Sequence, residues 1–172
     1  MNARAFSSPA KLFGDYSRRL STVLEGFDWA PVERLAYELL DCWQTGRQVF
    51  FAGNGGSAGN ANHLANDEGY EQVFSLQLAV LAQKGDVLIA FSGSGNSPNI
   101  VKALEEAKTI GMTSYAVLGY SGGKAKALAD VPIHVAIDDM QISEDAQTII
   151  GHMLMQWLYA QRGDIAALKA KG

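Results

Sequence analysis

The chain has 172 residues, a net charge of −4 at pH 7 and the apolar content of an ordinary globular protein. This length is enough for one domain with a full hydrophobic core. The negative charge gives no electrostatic basis for binding nucleic acid or an anionic membrane. The single cysteine, Cys42, excludes an intramolecular disulfide. Because no apolar signal segment or bilayer-length run is present either, the sequence predicts a cytoplasmic protein.

Apolar residues recur at helical spacing in two N-terminal segments, which predicts helices over residues 9–24 and 31–44. The following elements are predicted in order after them: strand 48–52, helix 57–67, helix 70–82, strand 87–91, helix 98–110, strand 113–118, helix 124–129, strand 131–137 and helix 143–160. We expect the polar tail from Arg162 to Gly172 to fray.

The alternation of buried strands with helices predicts an α/β fold with a parallel sheet and helices on both faces. No linker or low-complexity stretch divides the chain, so residues 1–172 are predicted to form a single domain. In such sheets, ligands bind at the carboxyl ends of the strands, near a topological switch point.

Two polar turns follow strands of this predicted sheet. The first turn is Gly53–Ala58 and the second turn is Ser92–Ser97; each leads into a predicted helix. A helix N-terminus offers unpaired N–H groups and a partial positive charge, which suit an anion. Neither turn contains Lys or Arg. The turns therefore predict an anion held by neutral donors, as a sugar phosphate can be.

With these turns in place, the sequence resembles the sugar isomerase (SIS) domain family, and within it the phosphoheptose isomerases. Four motifs carry the resemblance over nearly the whole chain: the GNGGS of residues 53–57, the serine-rich loop of residues 92–97 with Pro98-Asn99-Ile100, the glycine-rich residues 119–124, and Ile150-Gly151-His152. The resemblance implies conversion of sedoheptulose 7-phosphate to D-glycero-D-manno-heptose 7-phosphate by a homotetramer, with the helices of residues 1–45 in the subunit interface.

The resemblance also implies which residues bind the sugar phosphate. Serines of both turns would hold the phosphate with help from Asn54, and Gly93 replaces a commoner threonine. The predicted substrate-binding residues are Asn54, Gly55, Ser57, Ser92, Ser94, Asn96 and Ser97.

For catalysis, the resemblance implies a carboxylate and a histidine as proton carriers, here Asp67 and His152, and one zinc ion per site. The implied zinc ligands are His63, Asp67, Glu144 and His152. His63 and Asp67 lie four residues apart, which places both on one helix face at a good spacing for two metal ligands.

Several positions depart from the family pattern or leave alternatives open. Asp67 stands where glutamate is usual and is one methylene shorter, while Glu68 points about 100° away and is a weaker substitute. Glu144 stands where glutamine is usual, and Asp145 competes with it as a partner of His152. The alternatives are that His63 is a polar helix residue without a ligand role and that His152 is a buried structural residue. His134 is expected to be structural.

The segment after Asp67 is shorter than in relatives of this family, which usually have a further strand before a Gly-Tyr-Glu like residues 69–71. Either this strand is truly missing between Asp67 and Glu68, or residues are absent from the sequence as given. The alternative functions are a non-catalytic SIS protein that binds a sugar phosphate, as a sensor would, or one that binds a replication-initiator protein.

Overall fold

The structure, a computed structural model, describes residues 9–54 and 69–169. The described helices are α1 (Pro9–Glu25), α2 (Ala30–Thr45), a 3₁₀ helix (Tyr70–Gln72), α3 (Ser75–Leu81), α4 (Pro98–Ile110), α5 (Ala125–Leu128) and α6 (Met140–Lys169). The described strands are β1 (Val49–Gly53), β2 (Val87–Ser92), β3 (Thr113–Leu118) and β4 (Val131–His134). The helix predicted over 57–67 lies outside the described residues.

The described strands form one parallel sheet in the order β1-β2-β3-β4. Gly53 pairs with Phe91 and Ser92 with Leu118, so the carboxyl ends of the first three strands meet at one edge of the sheet. The order of the described strands follows the chain without a reversal, so the expected switch point is not found among them. The polar turns alone mark the candidate site.

Helices cover both faces of the sheet, as predicted. Alternate side chains of each strand point to opposite faces. On one face, Val87 and Ile89 pack in a cluster with Leu35 of α2 and Ile150 of α6. On the other face, α3, α4 and α5 cover a second cluster, which includes Leu88. Right-handed crossovers between sequential parallel strands place the connecting helices on one face, which accounts for this second layer.

Three predicted elements differ from the structure by more than one residue at an end or are divided. The helix expected over 70–82 is divided into the 3₁₀ helix and α3. Strand β4 stops at His134 rather than at 137, because the Ile137 carbonyl instead accepts the Tyr120 N–H. Helix α6 starts earlier than predicted, where Asp139 Oδ1 accepts the Ile142 N–H at 3.1 Å. It continues to Lys169 through most of the tail that was expected to fray, so that expectation was wrong.

Cys42 lies on α2 and is 2% exposed, as expected for a core residue. Burial raises the pKa of its thiol. Within the described residues, none of the helices combines the length and apolar character needed to cross a membrane.

Candidate functional site

The second turn arranges three serine hydroxyls at the carboxyl end of β2. The Ser92 hydroxyl is buried, accepts the Gly95 N–H at 3.0 Å and lies 3.5 Å from the Ser97 hydroxyl oxygen. Ser94 Oγ accepts the Asn96 N–H at 3.2 Å. Each hydroxyl that accepts in this way keeps its own hydrogen for donation. The turn can therefore present several O–H donors to an acceptor such as a phosphate oxygen.

Helix α4 begins directly after this turn. Pro98 occupies its first turn, where the missing N–H costs no helical hydrogen bond. Ser97 has an extended backbone with φ −60° and ψ 121°, and its side chain makes no capping hydrogen bond. Its hydroxyl is thus not used to satisfy the helix. The positive end of the helix dipole lies beside the serines and favours an anion there.

The glycine-rich loop of residues 119–123, here called the third loop, packs against the second turn. The Ala125 N–H donates to the Gly95 carbonyl at 2.9 Å, and the Lys124 N–H donates to Asn96 Oδ1 at 3.1 Å. Gly95 has φ +66°, and a Cβ there would lie 3.0 Å from the Gly123 nitrogen and closer still to the Gly122 carbonyl. Only glycine fits this backbone contact, which fixes the shape of the turn.

The N-terminal end of α6 closes the turn from the other side. A Cβ at Gly93 would lie 2.6 Å from Met140 Sδ, so the thioether occupies the space that a larger residue at 93 would need. A Cβ at Gly119 would lie 2.8 Å from Ser143 Cβ and 2.9 Å from the Gly93 carbonyl oxygen. Two glycines therefore allow α6 to approach the serine turn closely.

The first turn is described as far as Asn54, and this residue reaches the start of α4. Asn99 Nδ2 donates to Asn54 Oδ1 at 2.6 Å, and Asn54 Nδ2 lies 3.3 Å from Asn99 Oδ1. The Tyr70 hydroxyl also donates to Asn54 Oδ1, at 3.1 Å. Asn54 thus lies beside the start of α4, the helix that directly follows the second turn. Gly55 and Ser57 lie outside the described residues.

Two of the four predicted zinc ligands are on α6. Glu144 and His152 are both exposed, and their side chains have no hydrogen-bond partner among the described residues. The alternative that His152 is a buried structural residue is therefore wrong for the described chain. His63 and Asp67 lie outside the described residues. Within residues 9–54 and 69–169, no group of three His, Cys, Asp or Glu side chains is placed to hold a metal.

Asp145, the competitor of Glu144, has a different contact. It accepts a hydrogen bond from the Tyr16 hydroxyl, which ties α6 to α1. This hydrogen bond is the main cause that raises the pKa of Tyr16 to about 12. Asp145 therefore has a structural partner, whereas the side chain of Glu144 is left available.

His134 ends β4 and lies below the third loop. Its Nδ1 is 3.0 Å from Lys126 Nζ, and its Nε2 is 2.8 Å from the Tyr120 carbonyl oxygen. Because an ammonium can only donate, Nδ1 accepts and Nε2 carries the hydrogen that it donates to the carbonyl. These contacts hold the loop and agree with the structural role predicted for His134.

Asn99 and Tyr70 were not among the predicted site residues. Asn99 is 1% exposed and lies in line with the core residues Ala103 and Ala107 on α4. A polar residue at helical spacing with two core alanines was the signal in the sequence that could have found it. No comparable pattern marks Tyr70.

Comparison with known proteins agrees with this geometry. The SIS domain family matches residues 61–119. A phosphoheptose isomerase of Trichlorobacter lovleyi is 34% identical over 155 residues, which covers 73% of this chain and 79% of that protein. The chain belongs to the phosphoheptose isomerase family. A phosphoheptose isomerase structure from Neisseria gonorrhoeae has a TM-score of 0.73 at 28% identity and covers 86% of this chain and 95% of its own.

A second phosphoheptose isomerase structure, from Francisella tularensis, shares the fold with a TM-score of 0.82 at 22% identity, covering 90% of this chain and all of its own.

The alignment with the Trichlorobacter phosphoheptose isomerase has more positions than this chain has residues in it. It runs over 155 positions but covers 73% of this chain, which is about 126 of 172 residues. About 29 of the aligned positions therefore have no residue here.

Proposed function

We propose that the chain is an aldose–ketose isomerase that converts sedoheptulose 7-phosphate to D-glycero-D-manno-heptose 7-phosphate. Membership of the phosphoheptose isomerase family supports the reaction. The observation that carries the proposal is the second turn itself. It combines the hydroxyls of Ser92, Ser94 and Ser97 with the N-terminal end of a 13-residue helix. Such a site suits the phosphate of a sugar, because it offers neutral donors and a positive dipole end.

In this proposal, the phosphate end of the substrate is bound by the two turns. Ser92, Ser94 and Ser97 donate their hydroxyls from the second turn, and Asn96 contributes where it meets the third loop. Ser57 and Gly55 would contribute from the first turn, beside Asn54. Binding at the phosphate fixes the far end of the sugar and leaves the reacting carbons to the catalytic side chains.

The proposed proton carriers are Asp67 and His152. Isomerisation removes a proton from C1 of the ketose, forms an enediol, and returns a proton to C2, while a hydroxyl proton moves from O1 to O2. One side chain accepts and delivers the proton at carbon, and the other serves the oxygens. The exposed and unpartnered state of His152 supports a role in binding or catalysis over a structural one.

Zinc is proposed as the cofactor, with His63, Asp67, Glu144 and His152 as its ligands. Imidazole nitrogen and carboxylate oxygen are donors that zinc accepts, and the two described members have side chains free to coordinate. Bound zinc would act as a Lewis acid that stabilises negative charge developing on the sugar oxygens.

We also propose that the protein works as a cytoplasmic homotetramer, with the helices of residues 1–45 in its interface. An apolar cleft of about 350 Å³ lies between α2 and α6, lined by residues that include Trp29, Val32 and Trp157. Phe13 of α1 and Met155 of α6 are also exposed, at 68% each. Large exposed apolar patches are typical of subunit interfaces.

The shortened sequence is proposed to lack a strand between residues 67 and 68. In support, β1 lies at the edge of the sheet formed by the described strands, and its residue Phe51 is 65% exposed. An additional strand beside β1 would cover such an edge. Intact-mass measurement of the natural protein tests this point, because a mass above that of these 172 residues by about thirty residues would contradict it.

The activity is tested by incubating the purified protein with sedoheptulose 7-phosphate and Zn²⁺ and following the anomeric proton signals of the aldose by NMR. We expect the aldose to form and the rate to fall sharply in the His152→Ala variant. Absence of aldose from a folded, zinc-loaded protein would reject the proposed activity. Thermal stabilisation by the sugar phosphate without turnover would instead favour the sensor function.

A further inference from the structure

We propose that Asn99 is a positioning residue that holds Asn54 beside the start of α4, directly after the second turn, so that phosphate binding at the second turn depends on this pair. The proposal rests on the proposed function for the identity of the ligand. Asn99 touches no predicted phosphate donor of the second turn. It acts through Asn54, the described end of the first turn.

The first argument is the geometry of the amide pair. The two side chains face each other head to tail, at 2.6 Å and 3.3 Å between nitrogen and oxygen. Asn99 Oδ1 also accepts the Ile100 N–H at 3.0 Å, which fixes the rotamer and assigns the oxygen of the Asn99 amide. The amide of Asn99 can accept from the helix with its oxygen and donate to Asn54 with its nitrogen at the same time.

The second argument is burial. Asn99 is 1% exposed, yet Asn54, its partner, is exposed. A buried amide without its partner carries a desolvation cost, so Asn99 favours the arrangement in which Asn54 stays in place. The pair therefore links the start of α4 to the end of β1, which has a neighbour on one side only among the described strands.

The third argument is that Asn54 has a second hydrogen-bond partner besides Asn99. The Tyr70 hydroxyl donates to the same Asn54 oxygen at 3.1 Å, and the neighbouring Glu71 lies 3.9 Å from Lys102 of α4. Asn54 is thus hydrogen-bonded both to Tyr70, in the 3₁₀ helix, and to Asn99, at the start of α4. The oxygen and the nitrogen of the Asn54 side-chain amide are therefore both hydrogen-bonded within the protein.

The experiment is a double-mutant cycle with Asn54→Ala and Asn99→Ala, using inorganic phosphate and sedoheptulose 7-phosphate as ligands. If Asn99 acts through Asn54, each single variant weakens phosphate binding by about fivefold to tenfold, and the double variant is no more than about twofold weaker than Asn54→Ala alone. In turnover, the loss falls mainly on KM, with kcat changed by less than about threefold. Tyr70→Phe, which keeps the ring and removes the hydroxyl, gives a smaller loss in the same direction.

Ser114→Ala is the matched control for loss of a buried hydrogen bond. Ser114 is 2% exposed and bonds to Asp130 at the opposite end of the sheet. Ser114→Ala should lower the free energy of unfolding as Asn99→Ala does, but leave KM and phosphate affinity unchanged. Asn99→Asp, which keeps the acceptor and the size but loses donation to Asn54, should bind phosphate as weakly as Asn99→Ala.

Additive losses in the cycle, or unchanged phosphate affinity in a folded Asn99→Ala protein, would overturn the inference. Failure of the wild type to bind either ligand would overturn it as well. A wild type that binds phosphate but forms no aldose would contradict the isomerase assignment alone, since the cycle is measured on binding.

Discussion

Substitution of Gly95 by alanine tests the packing that shapes the second turn. The residue has φ +66°, which costs an L-residue about 1–2 kcal/mol. The new Cβ would also collide with the backbone of Gly122 and Gly123, and backbone atoms cannot turn away as a flexible side chain can. Displacing the third loop adds about 1–3 kcal/mol, by analogy with overpacked cores, and weakens the hydrogen bond between Gly95 and Ala125.

We therefore expect Gly95→Ala to lower the free energy of unfolding by about 3 kcal/mol, measured by urea denaturation monitored by circular dichroism. Gly14→Ala is the matched control. Gly14 lies within α1, and a Cβ there meets nothing within 4 Å. Alanine should stabilise this helix by up to about 1 kcal/mol. A Gly95→Ala protein as stable as the wild type would refute the argument that the third loop and the second turn are locked together.

Three further predictions follow from the site and its supports. Ser94→Ala should raise KM for the sugar phosphate about tenfold with little loss of stability, because it removes one donor to a charged group; steady-state kinetics would contradict this with an unchanged KM. His152→Ala should lower kcat about a hundredfold or more while leaving phosphate affinity and unfolding free energy within error, since the side chain is exposed; equal kcat would remove His152 from catalysis. The pKa of Asp139 is lowered, first by the Ile142 N–H and then by Arg19, so its contribution to stability is present above its ordinary pKa and is lost as the pH falls through the lowered value. Below pH 5, the melting temperature of the wild type should therefore fall more steeply with decreasing pH than that of Asp139→Asn. Equal pH dependence of the two melting temperatures would reject this role.

Local patterns in the sequence predicted most of the elements, because hydrophobic periodicity and turn residues act over short distances. Pro31 and Gly46 lie at the two ends of α2, and Gly46 has φ +76° at the helix end. The strands were found because their apolar runs are continuous. The break between the 3₁₀ helix and α3 could not be predicted, since apolar spacing continues across it. Its cause is tertiary, as Tyr70 and Glu71 are held against Asn54 and α4.

The candidate site was predictable where its chemistry lies in one segment. The second turn contains its own serines, and the hydrogen bonds that Ser92 and Ser94 accept come from other residues of the same turn. The support from Gly122 and Met140 was not predictable, because these contacts join distant segments and depend on how the sheet aligns its turns. The spacing of Asn99 with two core alanines marks it in the sequence, but nothing there indicates that its partner is Asn54. The roles of His63 and Asp67 remain predictions from the resemblance, since both lie outside the described residues.

The most direct measurement is a crystal structure of the protein with sedoheptulose 7-phosphate bound. We predict the phosphate within hydrogen-bond distance of the hydroxyls of Ser92, Ser94 and Ser97, at the N-terminal end of α4, with Asn54 still paired to Asn99. A sugar phosphate bound elsewhere, with these three hydroxyls facing solvent, would contradict the account of this chain as a sugar-phosphate isomerase that works at the second turn.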